Sequence, residues 1–278
     1  MKIAVLSGKG GAGKTLVSVN LAAADGQAVY IDCDVEEPNG RLFLKPESIT
    51  TKEVSTLLPS FGAELCNGCR ACVDFCRFNA LMFIRGLPKV FPEVCHSCGG
   101  CQLVCPVGAV KETPKPVGHL ELGQHKDMTV ITGELNTGEA SGIPVIQAAL
   151  HEVDNAEKTV IIDCPPGSAC SVMESISGAD YCVLVAEPTA FGLHNFKMVQ
   201  ELTGLLHKPC GVIINKMDTP YPPLEEFCAA HQLPILARIP YRPEVAEIIS
   251  HGGLVCEQDS TFMELFQGIL TQIGGAAQ

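Results

Sequence analysis

Short apolar runs alternate with longer amphipathic segments along most of this chain. The apolar runs predict strands at 3–6, 28–32, 128–132, 159–163, 181–186, 210–215 and 233–239. Helical spacing of apolar residues predicts helices at 16–24, 143–153, 187–206, 243–251 and 259–273. Strands that alternate with helices, and no tight hairpin in the pattern, predict an α/β fold with a mostly parallel sheet and helices on both faces.

The alternation stops between residues 59 and 117, where closely spaced cysteines and prolines replace it. This segment carries six Lys and Arg side chains against four Asp and Glu side chains, whereas the whole chain has a formal charge of −12. The change in character predicts a small inserted α+β domain at 59–117. The host α/β domain is then formed by residues 1–58 and 118–278.

Composition narrows the classes of protein to consider. The 278 residues are 46% hydrophobic, and no apolar stretch reaches the length of a membrane span. Met1-Lys2 leads directly into the first predicted strand, which is unlike a signal peptide. Fifteen cysteines without an export signal favour a reducing compartment, so we expect a cytoplasmic protein that uses thiols for metal. The acidic balance argues against a nucleic-acid partner. The amphipathic segment 262–270 contains no Lys or Arg, so we expect it to pack on the protein core rather than bind a membrane.

A glycine-rich segment connects the first predicted strand to the first predicted helix. It matches G-x-x-x-x-G-K-[ST], and its glycines let backbone N–H groups converge on an anion beside a helix N-terminus. Lys14 is expected to reach the β- and γ-phosphates, and the Thr15 hydroxyl to bind Mg²⁺. The alternative is a glycine turn without a ligand. The match in its strand–loop–helix context instead predicts nucleotide binding by Gly8, Lys9, Gly10, Gly11, Ala12, Gly13, Lys14 and Thr15.

Acidic residues follow two other predicted strands. Asp32 and Asp34 end the strand at 28–32, and Asp163 ends the strand at 159–163. In a parallel sheet the carboxyl ends of strands meet beside the phosphate loop. We therefore expect Asp34 to orient the attacking water and Asp32 and Asp163 to lie near Mg²⁺. The alternative for the Asp32–Asp34 pair is a turn that only caps the next element.

Asn215 and Lys216 end a further strand, at 210–215. An asparagine amide offers both a donor and an acceptor to a purine edge, and a lysine stem can stack on the base. These two residues are expected to complete the nucleotide site at its adenine end.

The inserted segment contains two nearly identical cysteine runs. Cys66-x2-Cys69-x2-Cys72-x3-Cys76 is repeated 29 residues later as Cys95-x2-Cys98-x2-Cys101-x3-Cys105. This is the two-cluster ferredoxin spacing, in which the fourth cysteine of each run ligates the other cluster. We assign one [4Fe–4S] cluster to Cys66, Cys69, Cys72 and Cys105, and the other to Cys95, Cys98, Cys101 and Cys76. Arg77 stands where the pattern expects a proline, which leaves the ligand set unchanged.

Structural zinc is the alternative for these cysteines. Zinc sites pair C-x2-C units over longer separations, so four cysteines in eleven residues, twice over, favour iron–sulfur clusters. The seven other cysteines form no C-x-x-C pair. Cys33 and Cys164 are each next to a predicted active-site acid, so a cluster that bridges two subunits is one interpretation of them. We expect instead that both are small buried side chains of the core.

The segment Lys9-Gly10-Gly11-Ala12-Gly13-Lys14-Thr15 resembles deviant Walker ATPases of the MinD/ParA/Mrp type, which carry an additional lysine at Lys9. The resemblance covers 1–58 and 118–278. It implies a P-loop NTPase fold, Mg-ATP hydrolysis, and a dimer in which Lys9 reaches the partner's phosphates. The cysteine module is similar to a ferredoxin domain inserted in one MinD-like branch, whose members resemble proteins encoded in pairs. A homodimer and a heterodimer with a related ATPase both stay open.

Two functions follow from this combination. The first is an ATPase whose nucleotide-driven dimer switch is coupled to electron transfer through two [4Fe–4S] clusters to a redox partner. The second is an ATPase for assembly or maturation of an iron–sulfur cluster or another metallocofactor, with a partner that accepts it. Permanent ligation of both clusters favours the first.

Overall fold

A computed structural model describes residues 1–154 and 156–276. The strands are β1 (Lys2–Leu6), β2 (Val29–Asp32), β3 (Glu47–Phe61), β4 (Leu81–Ile84), β5 (Leu87–Val90), β6 (Val110–His125), β7 (Met128–Leu135), β8 (Val160–Asp163), β9 (Tyr181–Ala186), β10 (Cys210–Met217) and β11 (Ile235–Pro240). The helices are α1 (Lys14–Asp25), α2 (Gly40–Leu44), α3 (Ala71–Phe75), α4 (Gly100–Leu103), α5 (Ile143–His151), α6 (Cys170–Ile176), α7 (Ala190–Leu205), α8 (Pro222–Ala230), α9 (Pro243–Ser250), α10 (Val255–Gln258) and α11 (Ser260–Ala276).

A nine-stranded sheet organises the molecule, in the order β11-β10-β9-β1-β8-β2-β7-β6-β3. The strands from β11 to β7 run parallel, and all seven strands predicted from the apolar runs are among them. Because these strands are parallel, their carboxyl ends lie along one edge of the sheet. The prediction of a mostly parallel α/β sheet is confirmed.

Apolar residues of the central strands alternate between two cores, one on each face of the sheet. Ala4 and Leu6 of β1 belong to a core covered by α5, α6, α7 and α8. Ile3 and Val5 belong to the opposite core, covered by α1, α10 and α11. Successive side chains of a strand point to opposite faces, so a strand buried on both sides becomes a continuous apolar run. Helices therefore cover both faces, as predicted.

Helix α11 packs on the second core through Phe262, Phe266, Ile269 and Ile273, which are all buried. This confirms the prediction that the last amphipathic segment packs on the protein body. No described helix is long and apolar enough to cross a membrane.

The edge of the sheet beyond β7 is antiparallel, and here the prediction of no tight hairpin was wrong. β6 turns back into β7 through the two residues Lys126-Asp127, and the two strands are antiparallel. β3 pairs antiparallel with β6. Lys126 has φ 53°, in the left-handed region that glycine or asparagine usually supplies in such turns. The turn therefore carried no recognisable sequence signal.

β3 and β6 continue past the sheet as a two-stranded ribbon that reaches the cysteine segment. They pair from Glu47 with Gln124 to Phe61 with Val110, with a register shift between Val54 and Ser55 where β6 also leaves β7. The predicted domain boundaries at 58/59 and 117/118 therefore fall within these paired strands. The cysteine segment at the end of the ribbon contains α3, the β4–β5 hairpin and α4.

Candidate functional site

The carboxyl ends of the parallel strands surround a cavity of about 740 Å³, a volume typical of small-molecule sites. β1 leads into the glycine loop, β2 into the segment 34–39, β10 into Asn215 and Lys216, and β11 into Tyr241 and Arg242. These segments line the cavity together because parallel strands bring their carboxyl ends to one edge.

The glycine loop presents bare backbone to this cavity. Cβ atoms built on Gly10 or Gly11 would meet nothing within 4 Å, so the main chain there is open to a ligand. Gly13 has φ 95°, and a Cβ on it would lie 2.0 Å from Asn215 Nδ2. Gly13 therefore has both a conformational and a packing requirement for glycine. The loop fits the phosphate cradle that the motif predicts, at the N-terminus of α1.

Lys14 is buried behind the loop and forms an ion pair with Asp163. Lys14 Nζ lies 2.6 Å from Asp163 Oδ1, and the Tyr30 hydroxyl donates a 3.1 Å hydrogen bond to Asp163 Oδ2. Burial acts to lower the pKa of Lys14, but the carboxylates of Asp163, Asp34 and Asp32 together outweigh it, and the pKa is raised. Lys14 is therefore a cation in a desolvated position beside the phosphate cradle, where its field is strong.

The two acids after β2 have different environments. Asp34 lines the cavity, and its Oδ2 lies 3.6 Å from Lys14 Nζ. Asp32 is fully buried, and its carboxylate accepts hydrogen bonds from the backbone N–H groups of Asp34 at 3.1 Å and Gly40 at 2.8 Å. Burial, with Asp163 nearby, raises the pKa of Asp32 to about 7. The structure thus brings the predicted acids together, with Asp34 facing the ligand space and Asp32 holding the turn behind it.

Lys9 and Lys216 converge on Glu187 at the end of β9. Lys9 pairs with one carboxylate oxygen of Glu187, and Lys216 Nζ lies 2.8 Å from the other. Lys216 Nζ also donates to the Gly11 carbonyl, and Asn215 Nδ2 donates to the Ala12 carbonyl at 2.8 Å. Partial burial acts to raise the pKa of Glu187, but hydrogen bonds from Lys216 and Lys9 lower it overall. The predicted adenine residues are therefore tied to the glycine loop.

Sequence reasoning missed three contributors to this site. Tyr30 supports Asp163, Glu187 gathers the two lysines, and Tyr241 with its neighbours lines the cavity after β11. The only available signal for Glu187 and Tyr241 was their position just after a predicted parallel strand. Nothing local marks Tyr30, because its hydroxyl meets Asp163 from a residue 133 positions away.

The eight cysteines of the inserted segment lie around two cavities. Cys66, Cys69, Cys72 and Cys105 line one, which we call the first cage. Cys76, Cys95, Cys98 and Cys101 line the other, the second cage. Each cage takes three cysteines from one run and the fourth from the other run. The structure thus brings together the two ligand sets assigned from the sequence.

The 29-residue repeat is also visible in the backbone. Arg70 directly precedes α3 and Gly99 directly precedes α4, and both have left-handed conformation. These two residues are 29 positions apart. Asn79 and Gly108 are also left-handed and 29 positions apart. The Ala80 N–H donates to Cys76 Sγ at 3.4 Å, and the Ala109 N–H donates to Cys105 Sγ at 3.2 Å. Both N–H···S contacts form, so Arg77 in place of proline leaves its turn equivalent to the other.

Cys105 illustrates how these turns suit a thiolate ligand. Desolvation acts to raise the pKa of its thiol, but backbone N–H groups of residues 107 to 110 lower it overall. A metal ligand must be the thiolate, so donors aimed at the sulfur favour the binding form.

The cysteine sulfur atoms are too far apart for a single ion. Among the described residues, the one group of three His, Cys, Asp or Glu side chains with ligand atoms mutually within 4.8 Å is His119, Glu121 and Glu134. Zinc bonds to sulfur of about 2.3 Å would hold tetrahedral thiolates about 3.8 Å apart. The sulfur atoms of each cage are therefore more widely spaced than the ligands of a zinc site. The His119 group is already compensated by Arg41, which pairs with both glutamates.

Cys33 and Cys164 are completely buried in the core beside β2 and β8. Burial raises the pKa of both thiols. Both are part of the apolar core cluster, in agreement with the interpretation of small packed side chains rather than cluster ligands.

A glycine loop, a buried lysine and acids at the ends of neighbouring parallel strands define a P-loop nucleotide-binding protein. Residues 3–255 match the CobQ/CobB/MinD/ParA nucleotide binding domain. The chain therefore belongs to the CobQ/CobB/MinD/ParA family. It is 28% identical over 274 residues to the uncharacterized protein MJ0578 of Methanocaldococcus jannaschii, covering 95% of this chain and 93% of that one. It is 25% identical over 221 residues to MJ0579 of the same organism, covering 78% and 80%.

Solved structures share the fold. MinD of Pyrococcus horikoshii, complexed with Mg-ADP, superposes with a TM-score of 0.62 at 17% identity, covering 100% of this chain and 98% of that chain. The McdA–ATP complex of Cyanothece gives 0.58 at 16% identity, covering 98% and 96%. The resemblance to MinD-like P-loop proteins is confirmed at the level of family and fold.

Proposed function

We propose that this protein is an ATPase whose nucleotide state controls electron transfer through two [4Fe–4S] clusters in the inserted segment. The nucleotide cavity and the two cages supply the sites. Cysteine thiolates of the first and second cages would ligate the clusters, which supply one-electron redox chemistry when bound. Each set contains four thiols, so a cluster bound there would have all its protein ligands, as a permanent relay needs.

Nucleotide hydrolysis is assigned to residues around the cavity. Backbone N–H groups from Gly8 to Thr15 bind the phosphates, and Lys14 neutralises charge on the β- and γ-phosphates. Thr15 and the Asp163 region would hold Mg²⁺, which would supply further charge neutralisation when bound. Asp34 orients the attacking water, and Asp32 positions Asp34 through the backbone hydrogen bond between them. Asn215 and Lys216 bind at the adenine end.

The proposal rests on a chain of contacts that links the nucleotide cavity to the ribbon. Val35, next to Asp34, accepts a 2.9 Å hydrogen bond from the Leu135 N–H at the end of β7. The next residue, Asn136, donates to the Val117 carbonyl of β6 at 2.9 Å. Lys115 then pairs with Glu139 at 2.7 Å. Val117 and Lys115 lie where the ribbon leaves the sheet, so a nucleotide-dependent movement of the Asp34 segment would be passed to the ribbon that carries the cages.

The active form is proposed to be a dimer, either of two identical chains or of this chain with a related MinD-like ATPase. MJ0578 and MJ0579 are two relatives of this chain in one organism, which supports the heterodimer. Lys9 is the residue assigned to the partner's phosphates. In the single chain it is held by Glu187 and lies 5.3 Å from the centre of the Phe191 ring. Dimerisation would have to release it.

The test is anaerobic purification followed by iron and sulfide analysis and EPR, with no nucleotide, Mg-ADP or Mg-ATP. We expect about eight irons per chain and a rate of chemical cluster reduction that differs between Mg-ATP and Mg-ADP. Equal rates in the three states would contradict the coupling. ATP-dependent loss of iron to an apo-acceptor would instead support the function in cofactor maturation, together with its acceptor partner.

A further inference from the structure

The inserted segment carries exposed cations that have no acidic partner. Arg70, Arg77, Arg85 and Lys89 are all exposed, and none forms a salt bridge with another described residue. Exposed cations of the host domain are of both kinds, and Lys45, Lys158 and Lys197 likewise form no salt bridge with a described residue. Lys52, Lys126 and Arg238 each pair with a glutamate although their side chains are at least 42% exposed.

Two of the unpaired cations lie on the β4–β5 hairpin. Met82 is opposite Lys89, and Ile84 is opposite Leu87. Residues two apart in a strand share a face, so these four side chains form one surface, which we call the hairpin face. Met82 and Lys89 are exposed, whereas Leu81 and Pro88 on the other side are buried. Arg85 lies in the turn at the end of the hairpin, with φ 51°. The hairpin face is therefore a partly exposed apolar strip, with Ile84 and Leu87 half-buried and cations at its end and side.

The opposite face of the hairpin lines the first cage. Pro88 of the hairpin and Arg70 line the same cavity as Cys66, Cys69, Cys72 and Cys105. The Arg70 guanidinium lies 5.7 Å from the centre of the Phe83 ring, at the edge of the hairpin. A molecule seated on the hairpin face would thus be separated from the first cage by the two strands of the hairpin.

We infer that the hairpin face is the docking site for an acidic one-electron carrier protein, which rests on the proposed electron-transfer function. Unpaired cations around a small apolar strip attract an acidic surface and orient it during encounter. The strip is short, which suits the small, weak and quickly exchanged interfaces of redox encounters. The whole chain has a formal charge of −12, whereas residues 59–117 carry six Lys and Arg side chains against four Asp and Glu side chains. The inserted segment is therefore the part of the chain whose charge favours an acidic partner.

The experiment measures equilibrium binding to the full-length, iron-loaded protein by isothermal titration. The probe is an acidic two-cluster ferredoxin at 20 mM and 200 mM NaCl, and a basic c-type cytochrome is the control carrier. We expect binding of the ferredoxin at low salt, at least tenfold weakening at high salt, and no binding of the cytochrome. Failure of the ferredoxin to bind, or equal binding of the cytochrome, would overturn the proposal.

Two charge-matched variants locate the site. Arg85→Asp/Lys89→Glu reverses the cations of the hairpin, and aspartate tolerates the left-handed turn position. Lys158→Glu/Lys197→Glu makes the same charge change on the host domain, where both lysines are exposed. We expect the hairpin variant to lose at least tenfold in affinity, and the host variant at most twofold. Iron content equal to wild type shows that the variant is folded, and Lys89→Gln provides a milder change if it is not.

Other occupants give different results. If Arg85→Asp/Lys89→Glu changes the sedimentation-derived oligomeric state, the face contacts a second copy and the docking proposal is wrong. It is also wrong if a 20-nucleotide single strand displaces the ferredoxin. Binding of the carrier does not require ATP, so this proposal and the proposed function are tested separately. If the carrier binds but cluster reduction does not depend on nucleotide, only the proposed coupling is wrong. If reduction depends on nucleotide but the carrier does not bind, only the docking site is wrong.

Discussion

Lys14 Nζ and Asp163 Oδ1 form a 2.6 Å ion pair that is buried between the glycine loop and β8. Lys14→Ala leaves the Asp163 charge buried without its partner, which typically costs about 3–5 kcal/mol. We therefore expect Lys14→Ala to lose Mg-ATP hydrolysis and to lower the free energy of unfolding. Urea denaturation and a phosphate-release assay measure the two effects.

A double variant separates these two roles of Lys14. Lys14→Met/Asp163→Asn removes both charges, so most of the lost stability should return while hydrolysis stays absent. If the double variant is as unstable as Lys14→Ala, the instability does not come from the unpaired Asp163.

Asp34 differs from Asp163 because it faces the cavity and is 3.6 Å from Lys14. Burial raises the pKa of Asp34 in spite of the nearby Lys14, so this contact does not offset the desolvation of the carboxylate. Asp34→Ala should bind Mg-ATP with nearly unchanged affinity and lose at least a hundredfold in turnover, because the attacking water is no longer oriented. Fluorescent-nucleotide binding and phosphate release test this. Turnover like that of wild type would show that another group positions the water.

The parallel core and the nucleotide site were predictable because their signals are local. Each buried strand is an apolar run, and Asp34, Asp163 and Asn215 follow directly after such runs. The antiparallel edge was not predictable for the same reason. Most of the β3 side chains are exposed, so β3 shows little apolar pattern, and Lys126 replaces the glycine that would have announced the β6–β7 turn. Contacts such as Tyr30 with Asp163 join positions far apart and leave no local trace.

The cages show the opposite case, in which spacing alone predicted a non-local arrangement. The exchange of the fourth cysteine followed from the two-cluster spacing, and the structure places Cys105 with Cys66 and Cys76 with Cys95. The hairpin face was not predictable, because its unpaired cations are recognised only when the salt bridges of the rest of the chain are known.

Asp32 predicts a pH dependence of stability. Its pKa in the folded protein is raised to about 7 by burial, against about 3.9 in an unfolded chain. Between these values the folded state binds more protons than the unfolded state, so this group lowers the free energy of unfolding as pH rises towards 7. Relative to Asp32→Asn, wild type should therefore lose stability from pH 5 to pH 7 and level off above pH 8. Urea denaturation of the metal-free proteins measures this, and a constant difference over that range would contradict the assignment.

The exchange of ligands between the two cysteine runs can be tested by pairing substitutions. Cys66→Ser/Cys105→Ser changes only the first cage and should leave about four of eight irons. Cys66→Ser/Cys76→Ser changes one ligand in each cage and should leave markedly fewer. Without exchange the two results would be reversed, because Cys66 and Cys76 would then share a cluster. Iron analysis and EPR after anaerobic reconstitution give the measurement.

Lys115 and Lys111 give a matched test of the link between the nucleotide and the cages. Both lie on β6, but Lys115 pairs with Glu139 at 2.7 Å whereas Lys111 is exposed on the ribbon. Glu139 is in the segment that joins Asn136 to α5, so this pair connects the ribbon to the contacts that reach Val35 and Asp34.

If those contacts carry the nucleotide signal, Lys115→Gln should reduce the difference in cluster reduction rate between Mg-ATP and Mg-ADP at least threefold. Iron content and ATP hydrolysis should stay close to wild type, because Lys115 touches neither site. Lys111→Gln should leave the difference intact. Equal effects of the two substitutions would mean that charge on the ribbon, and not its attachment to the nucleotide segment, governs the reduction rate.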